Sequence, residues 1–169
     1  LTISNGLLYN FNKREKLNKK EIYLKKAMLS RMEKIIFLKK VPIFAELNSE
    51  ILIALSEILN EEYYPANSII FKENDIGDTL YIIFRGEVEI SKTTEDGEKK
   101  VLAHLGATDI FGEMGVFDDK PRSATVIALK DTITLTINKA QFRDLIIEYP
   151  EIMFEMYRVA IERLRRTNE

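Results

Sequence analysis

The period of the hydrophobic residues changes near residue 61 and again near residue 138, and this restricts the fold of the 169-residue chain more than any other feature. Before the first change, Ile51, Leu52, Leu55, Ile58 and Leu59 recur at helical spacing behind Asn48, a good N-cap. Between the two changes lie at least seven short segments: 61–64, 68–72, 79–84, 87–92, 99–105, 125–129 and 132–137. They are rich in β-branched and aromatic residues and are divided by Gly, Asp and Pro, which predicts strands. Ile133, Leu135 and Ile137 alternate with threonines, so the last strand is expected to be half-buried. Asp96-Gly97 between two such runs predicts a tight hairpin. So many short strands in one block read as a sandwich or a closed roll.

Helices flank this block. One is predicted over 33–40, ending before Pro42, because the residue preceding a proline is pushed out of the helical region. Asn138 with Gln141 three residues later has the pattern of a capping box opening a helix over 139–148. Pro150 opens the next helix, whose apolar stripe is Ile152, Met156, Val159 and Leu164, and Arg163, Arg165 and Arg166 near its end complement the helix dipole.

Charge divides the chain as well: residues 1–60 carry a net +5 and residues 61–169 a net −7. The basic excess lies in 13–40, where Lys19, Lys20, Lys25 and Lys26 interleave with Ile22, Leu24, Met28 and Leu29, the pattern of an amphipathic linker helix. Too few of these cations share one face to track phosphates, so direct nucleic-acid binding is not expected. The expected organisation is a helical linker or extension over 1–32 and one domain over 33–169. That domain comprises helices 33–60, a β-block 61–137 and C-terminal helices 138–167. Leu1 stands where a methionine would start a chain, and residues 1–12 lack the pattern of a signal peptide, so a fragment of a longer polypeptide is expected.

Composition removes most alternatives. With no cysteine, disulfides, thiolate catalysis and Cys-based zinc sites are absent, which fits a cytoplasmic setting. One histidine, His104, cannot build a two-histidine metal centre and makes a catalytic metal-binding roll of the cupin kind a poor fit. On a strand, His104 reads as a surface or hydrogen-bonded residue. No apolar run reaches the ~18 residues that a membrane-spanning helix needs.

One connection between strands, residues 110–125, holds two glycines, the acid Glu113 and the arginine Arg122, with Asp118, Asp119 and Lys120 between them. Gly112-Glu113-Met114-Gly115 reads as a short helical turn leaving a strand end, where free amides favour an anion. Gly112 and Gly115 let backbone approach a ligand. Arg122 offers a planar fork to two phosphate oxygens, Ser123 a hydroxyl and Ala124 an amide, although Ser123 also suits a turn cap. Glu113 is the discriminating residue. A polyphosphate would be repelled by it, and the loop has no P-loop lysine to offset that repulsion. A ligand with one negative charge and a neighbouring hydroxyl suits both side chains, as a ribose with a free 2′-OH beside a cyclic phosphodiester does.

Phe111-Gly112-Glu113-Met114-Gly115 followed by Pro121-Arg122-Ser123-Ala124-Thr125 resembles the phosphate-binding cassette of the cyclic nucleotide-binding domain family. That family includes the bacterial catabolite activator protein, the regulatory subunits of cyclic-AMP-dependent kinase and cyclic-nucleotide-gated channels. Val41-Pro42-Ile43-Phe44, Gly77-Asp78 through Tyr81-Ile82-Ile83, and Gly86-Glu87-Val88 extend the resemblance over about residues 33–167. It implies a double-stranded β-roll, jelly-roll-like, mainly β with flanking helices. It also implies that Glu113 holds the ribose 2′-OH, that Arg122 and Ser123 hold the cyclic phosphate, and that Gly112, Met114 and Ala124 contribute backbone. Ile90 and Leu102 would line the base pocket, although on the residues alone both read equally well as core. The last helix would act as a lid, with base contacts from about Arg163 to Asn168. A threonine after the arginine is common in members preferring cyclic GMP; Ser123 stands there, and cyclic AMP is expected ahead of cyclic GMP.

The expectation that follows is a non-enzymatic sensor that regulates an attached or partner effector by moving its C-terminal helices. The effector could be a channel or transporter encoded before Leu1. Alternatives are a fragment of a transcription regulator without its DNA-binding part and a scaffold or dimerisation domain that has lost its ligand. Homodimerisation through Ile152, Met156 and Val159 competes with packing of the same stripe on the roll. Tyr63, Tyr64 and Phe71 read as core aromatics.

Overall fold

The computed structural model describes residues 28–167; the expected linker helix lies outside them up to residue 27. The first described helix, α1 (Arg31–Leu38), starts two residues earlier than its hydrophobic pattern suggests. Ser30 and Glu33 form a full capping box there: Ser30 Oγ accepts from the Glu33 amide at 3.2 Å, and the Ser30 amide donates to Glu33 Oε2 at 2.8 Å. Asn48 caps α2 (Ser49–Ile58) as expected, its Oδ1 accepting from the Ile51 amide at 3.0 Å.

The strands follow as β1 (Asn60–Tyr64), β2 (Ile69–Phe71), β3 (Thr79–Arg85), β4 (Glu87–Thr93) and β5 (Lys99–Gly106). Then come β6 (Ile110–Phe111), the short α3 (Met114–Phe117), β7 (Thr125–Ala128) and β8 (Thr132–Asn138). The chain continues with α4 (Lys139–Glu148) and α5 (Glu151–Thr167). Two antiparallel four-stranded sheets result among the described residues, in the orders β1-β8-β3-β6 and β2-β7-β4-β5. This is the mainly β roll with flanking helices. The β4–β5 hairpin turns at Asp96-Gly97, where the Gly97 amide donates to Thr94 O at 2.9 Å.

β3 and β8 are buried on both faces, which corrects the expectation of a half-buried last strand. Leu80, Ile82, Leu135 and Ile137 face a helical layer containing Leu38, Phe44, Leu52, Leu55, Phe142 and Ile152. Tyr81 and Ile83 face the roll interior, where Phe111 joins them from the same sheet and Val88 and Val126 from the other. The register pairs Thr134 with Ile83 and Thr136 with Tyr81, so the threonines share that inner face and are buried too. Their polarity marks the inside of the roll rather than solvent.

The capping box expected at Asn138 is half formed. Asn138 Oδ1 accepts from the Gln141 amide at 2.9 Å, but Gln141 Oε1 has no partner among the described residues. Asn138 is still paired with Thr79 in the sheet as the last residue of β8, which makes the junction between roll and α4 abrupt.

Candidate functional site

β6 ends at Phe111, and the chain turns at Gly112 with a φ of +77°, a conformation that favours glycine. The turn delivers Glu113 to the position before α3. Its side chain caps no amide, and among the described residues it forms no hydrogen bond or ion pair, leaving a half-buried carboxylate uncommitted.

Across the loop, Arg122 is only 5% exposed. Its Nη1 donates to Gly112 O and its Nη2 to Thr79 O, both at 3.0 Å, while the buried Nε has no partner. No carboxylate among the described residues pairs with it. A guanidinium has five N–H donors, so three remain once these two carbonyls are served. The backbone fixes the approach: the Arg122 amide donates to Asp75 O and the Asn74 amide to Arg122 O, each at 2.8 Å.

Glycines leave the room that this arginine and its loop need. A Cβ on Gly77 would overlap Arg122 Nε, and a Cβ on Gly115 would press against the Gly77 carbonyl. The Gly77 contact is legible in sequence only as part of a family motif, because it joins residues far apart in the chain.

Glu113 and Arg122 line one cleft of about 240 Å³, together with Gly112, Met114, Ser123, Ala124 and Ile90. Phe71, Leu105 and Phe111 belong to its apolar wall, with Ile110 and Val126. Leu102 is not part of it. Ile90 pairs with Ala103 and Ser91 with Val101, so Leu102 is the extra residue of a β-bulge, 48% exposed, and Leu105 lines the cleft instead. Ser123 is exposed and its Oγ lies 3.7 Å from Met114 Sδ. Burial holds the Tyr81 phenol above its ordinary pKa against the opposing pull of Arg122, so the ring beside the cation stays neutral.

A second, apolar groove of about 770 Å³ adjoins the cleft and shares Glu113 and Met114 with it. It runs between α3 and α5 with Ile43 and Ile110 also lining it, and it carries the exposed side chains of Phe117, Met153 and Tyr157. Ile152 and Val159 are buried on the helical core, whereas the side chains of Arg163 and Leu164 lie outside the described part of α5. Lys139, the first residue of α4, ties this region together. Its Nζ donates to Gly115 O at 3.3 Å, to Asp118 O at 2.7 Å and to Asp119 Oδ1 at 2.6 Å, and the last contact holds the Asp119 carboxyl below its ordinary pKa.

A buried cation without an acidic partner and an uncommitted carboxylate in one cleft fit a ligand that is at once a monoanion and a hydroxyl donor.

Comparison with known proteins identifies the family. The family described as "Cyclic nucleotide-binding domain" matches residues 61–149. The CRP-like cAMP-activated global transcriptional regulator of Mycobacterium tuberculosis is 33% identical over 131 residues, covering 78% of this chain and 58% of that protein. A cGMP-dependent protein kinase of Drosophila melanogaster is 33% identical over 134 residues, 78% of this chain and 14% of the kinase. The crystal structure of the N-terminal domain of a transcriptional regulator from Streptomyces coelicolor superposes with a TM-score of 0.66 at 32% identity, covering 78% of this chain and 92% of that one. The chain thus spans 58% of the length of the bacterial regulator and a small part of the kinase. With two antiparallel sheets closed into a roll, a cassette built round Arg122 and these matches in agreement, the chain belongs to the cyclic nucleotide-binding domain family.

Proposed function

We propose that this chain is a non-enzymatic sensor that binds cyclic AMP ahead of cyclic GMP and regulates an attached effector through its C-terminal helices. The observation that carries the reading is the cleft shared by Glu113 and Arg122. Arg122 and Ser123 take the cyclic phosphate, Glu113 takes the ribose 2′-OH, and Gly112, Met114 and Ala124 contribute backbone. Ile90 contacts the base from the cleft wall, with Leu105 beside it in place of Leu102. Arg163 belongs to the stretch of α5 that reaches the base when the helix closes.

The relay is a helix movement. Ligand seated on the cassette draws α3, and Lys139 passes that displacement to α4 through its bonds to Gly115, Asp118 and Asp119. The apolar groove between α3 and α5 is the space into which α5 closes as a lid. Such a movement requires only that ligand bind one arrangement better than the other.

The nature of the effector is open to two readings. Similarity to a bacterial cAMP-activated transcription regulator, with only part of that protein's length covered, favours a DNA-binding part elsewhere in the parent chain. Among the described residues no helix is long and apolar enough to cross a membrane, so a channel or transporter effector would have to be encoded outside them.

Thermal unfolding with cyclic AMP and cyclic GMP side by side tests the ligand reading. At a ligand concentration of about 100 Kd, native-state binding adds about 2.7 kcal/mol, which raises the midpoint by about 5–11 °C. Cyclic AMP is expected to give the larger shift at equal concentration. A larger shift with cyclic GMP reverses the preference, and no shift with either rejects the sensor.

A further inference from the structure

Arg122 carries its charge into the molecule with no carboxylate among the described residues to balance it, and aromatic rings surround it instead. Its Cζ lies 4.2 Å from the centroid of the Phe71 ring and 5.7 Å from that of Tyr81. Phe71 in turn packs on Tyr81 and Phe111 at 5.7 and 5.9 Å between centroids, and those two rings stack on each other at 4.7 Å with an interplanar angle of 1°. The backbone keeps this block in register with the arginine. Phe71 pairs with Val126 across β2 and β7, and the turn after β2 is bonded to Arg122 at both its amide and its carbonyl.

We propose that Phe71 is a positioning residue for the anion-binding arginine: its face, backed by Tyr81 and Phe111, holds the guanidinium in the cleft without neutralising it. A carboxylate in that place would hold Arg122 equally well but would cancel much of the field offered to a phosphate. A ring attracts the cation through its quadrupole and leaves the net charge at +1. The carbonyls of Thr79 and Gly112 fix the fork from one side and the Phe71 face fixes its plane, so the cation is desolvated, oriented and still uncompensated. Reading Phe71 as a plain core aromatic misses this, because its partner lies 51 positions further along the chain. The inference rests on the cleft being a cyclic nucleotide site.

The test uses the full chain with Phe71→Leu and Phe71→Tyr. Cyclic AMP affinity is measured by calorimetry, ligand-free melting is recorded, and the Arg122 Nε–H resonance is followed by NMR, assigned by its disappearance in Arg122→Lys. Phe71→Leu is expected to weaken binding by about 3- to 30-fold and to move the Nε–H resonance, since the ring above it is gone. Phe71→Tyr is expected to restore affinity to within about twofold and to leave the resonance near its original position. A resonance that stays in place in Phe71→Leu overturns the stacking. Wild-type affinity in Phe71→Leu with a shifted resonance overturns the positioning role. If the resonance behaves as expected but the wild-type chain binds no cyclic AMP, the platform stands and the nucleotide reading falls.

Discussion

Arg122→Ala is expected to weaken cyclic AMP binding by about 2–5 kcal/mol, roughly 30-fold to several thousand-fold. The loss is large because the phosphate would enter a site whose only other charged side chain, among those lining the cleft, is the carboxylate of Glu113. Without the guanidinium, that carboxylate repels the ligand it otherwise helps to hold. Folding is affected too: the carbonyls of Gly112 and Thr79 lose the donors that bind them at 3.0 Å, and leaving buried acceptors unmet costs about 1–3 kcal/mol each. Arg122→Lys separates the two effects. It keeps a charge but loses the planar fork, and is expected to bind with intermediate affinity. Calorimetry on both variants, at temperatures where ligand-free melting shows them folded, gives the answer. Wild-type affinity in folded Arg122→Ala would place the phosphate elsewhere.

The second large effect concerns the sugar. Glu113→Ala is expected to weaken cyclic AMP by about 10- to 150-fold, the loss of a charge-assisted hydrogen bond of about 1.5–3 kcal/mol. The same variant is expected to bind 2′-deoxy cyclic AMP as well as the wild type does, or somewhat better, because the deleted carboxylate no longer repels the phosphate. Stability should change little, since Glu113 caps nothing and pairs with nothing among the described residues. Parallel titrations of the two ligands into both proteins check this. Equal losses for ribo- and deoxy-ligand would remove Glu113 from the ribose.

Much of this architecture is legible in the sequence, for physical reasons that also mark where legibility stops. Helix ends at Asn48 and Asn138 are readable because a cap is a local event, side chain to amide three residues away. The Asp96-Gly97 hairpin is readable because its turn demands a positive φ, supplied by Gly97 at +84°. Glu113 and Arg122 are readable because each stands in a short contiguous motif, Phe111-Gly112-Glu113 and Pro121-Arg122-Ser123-Ala124-Thr125, although Asp118, Asp119 and Lys120 charge the same loop. β6 has two residues, too few for any period, and its pairing with Tyr81 and Ile82 is a tertiary fact. Thr134 and Thr136 mislead because alternation of polar and apolar residues separates two faces without saying which of them is wet. Leu102 misleads because its place is carried over from the family by position, and the bulge opposite Ile90 and Ser91 takes it out of register with the cleft. Gly77 and Phe71 act on Arg122 across 45 and 51 positions, a distance at which a single sequence carries no contact information.

One buried cation and one carboxylate divide a small monoanionic sugar phosphate between them, and calorimetry of cyclic AMP against 5′-AMP on the full chain decides whether they do. Both ligands share the base and the ribose, but the ring-opened phosphate bears additional negative charge and a different shape. The prediction is one cyclic AMP bound per chain, with 5′-AMP binding weaker by at least about tenfold, because Glu113 opposes the added charge and Arg122 alone cannot offset it. Equal or tighter binding of 5′-AMP, or no heat from either nucleotide, would contradict it.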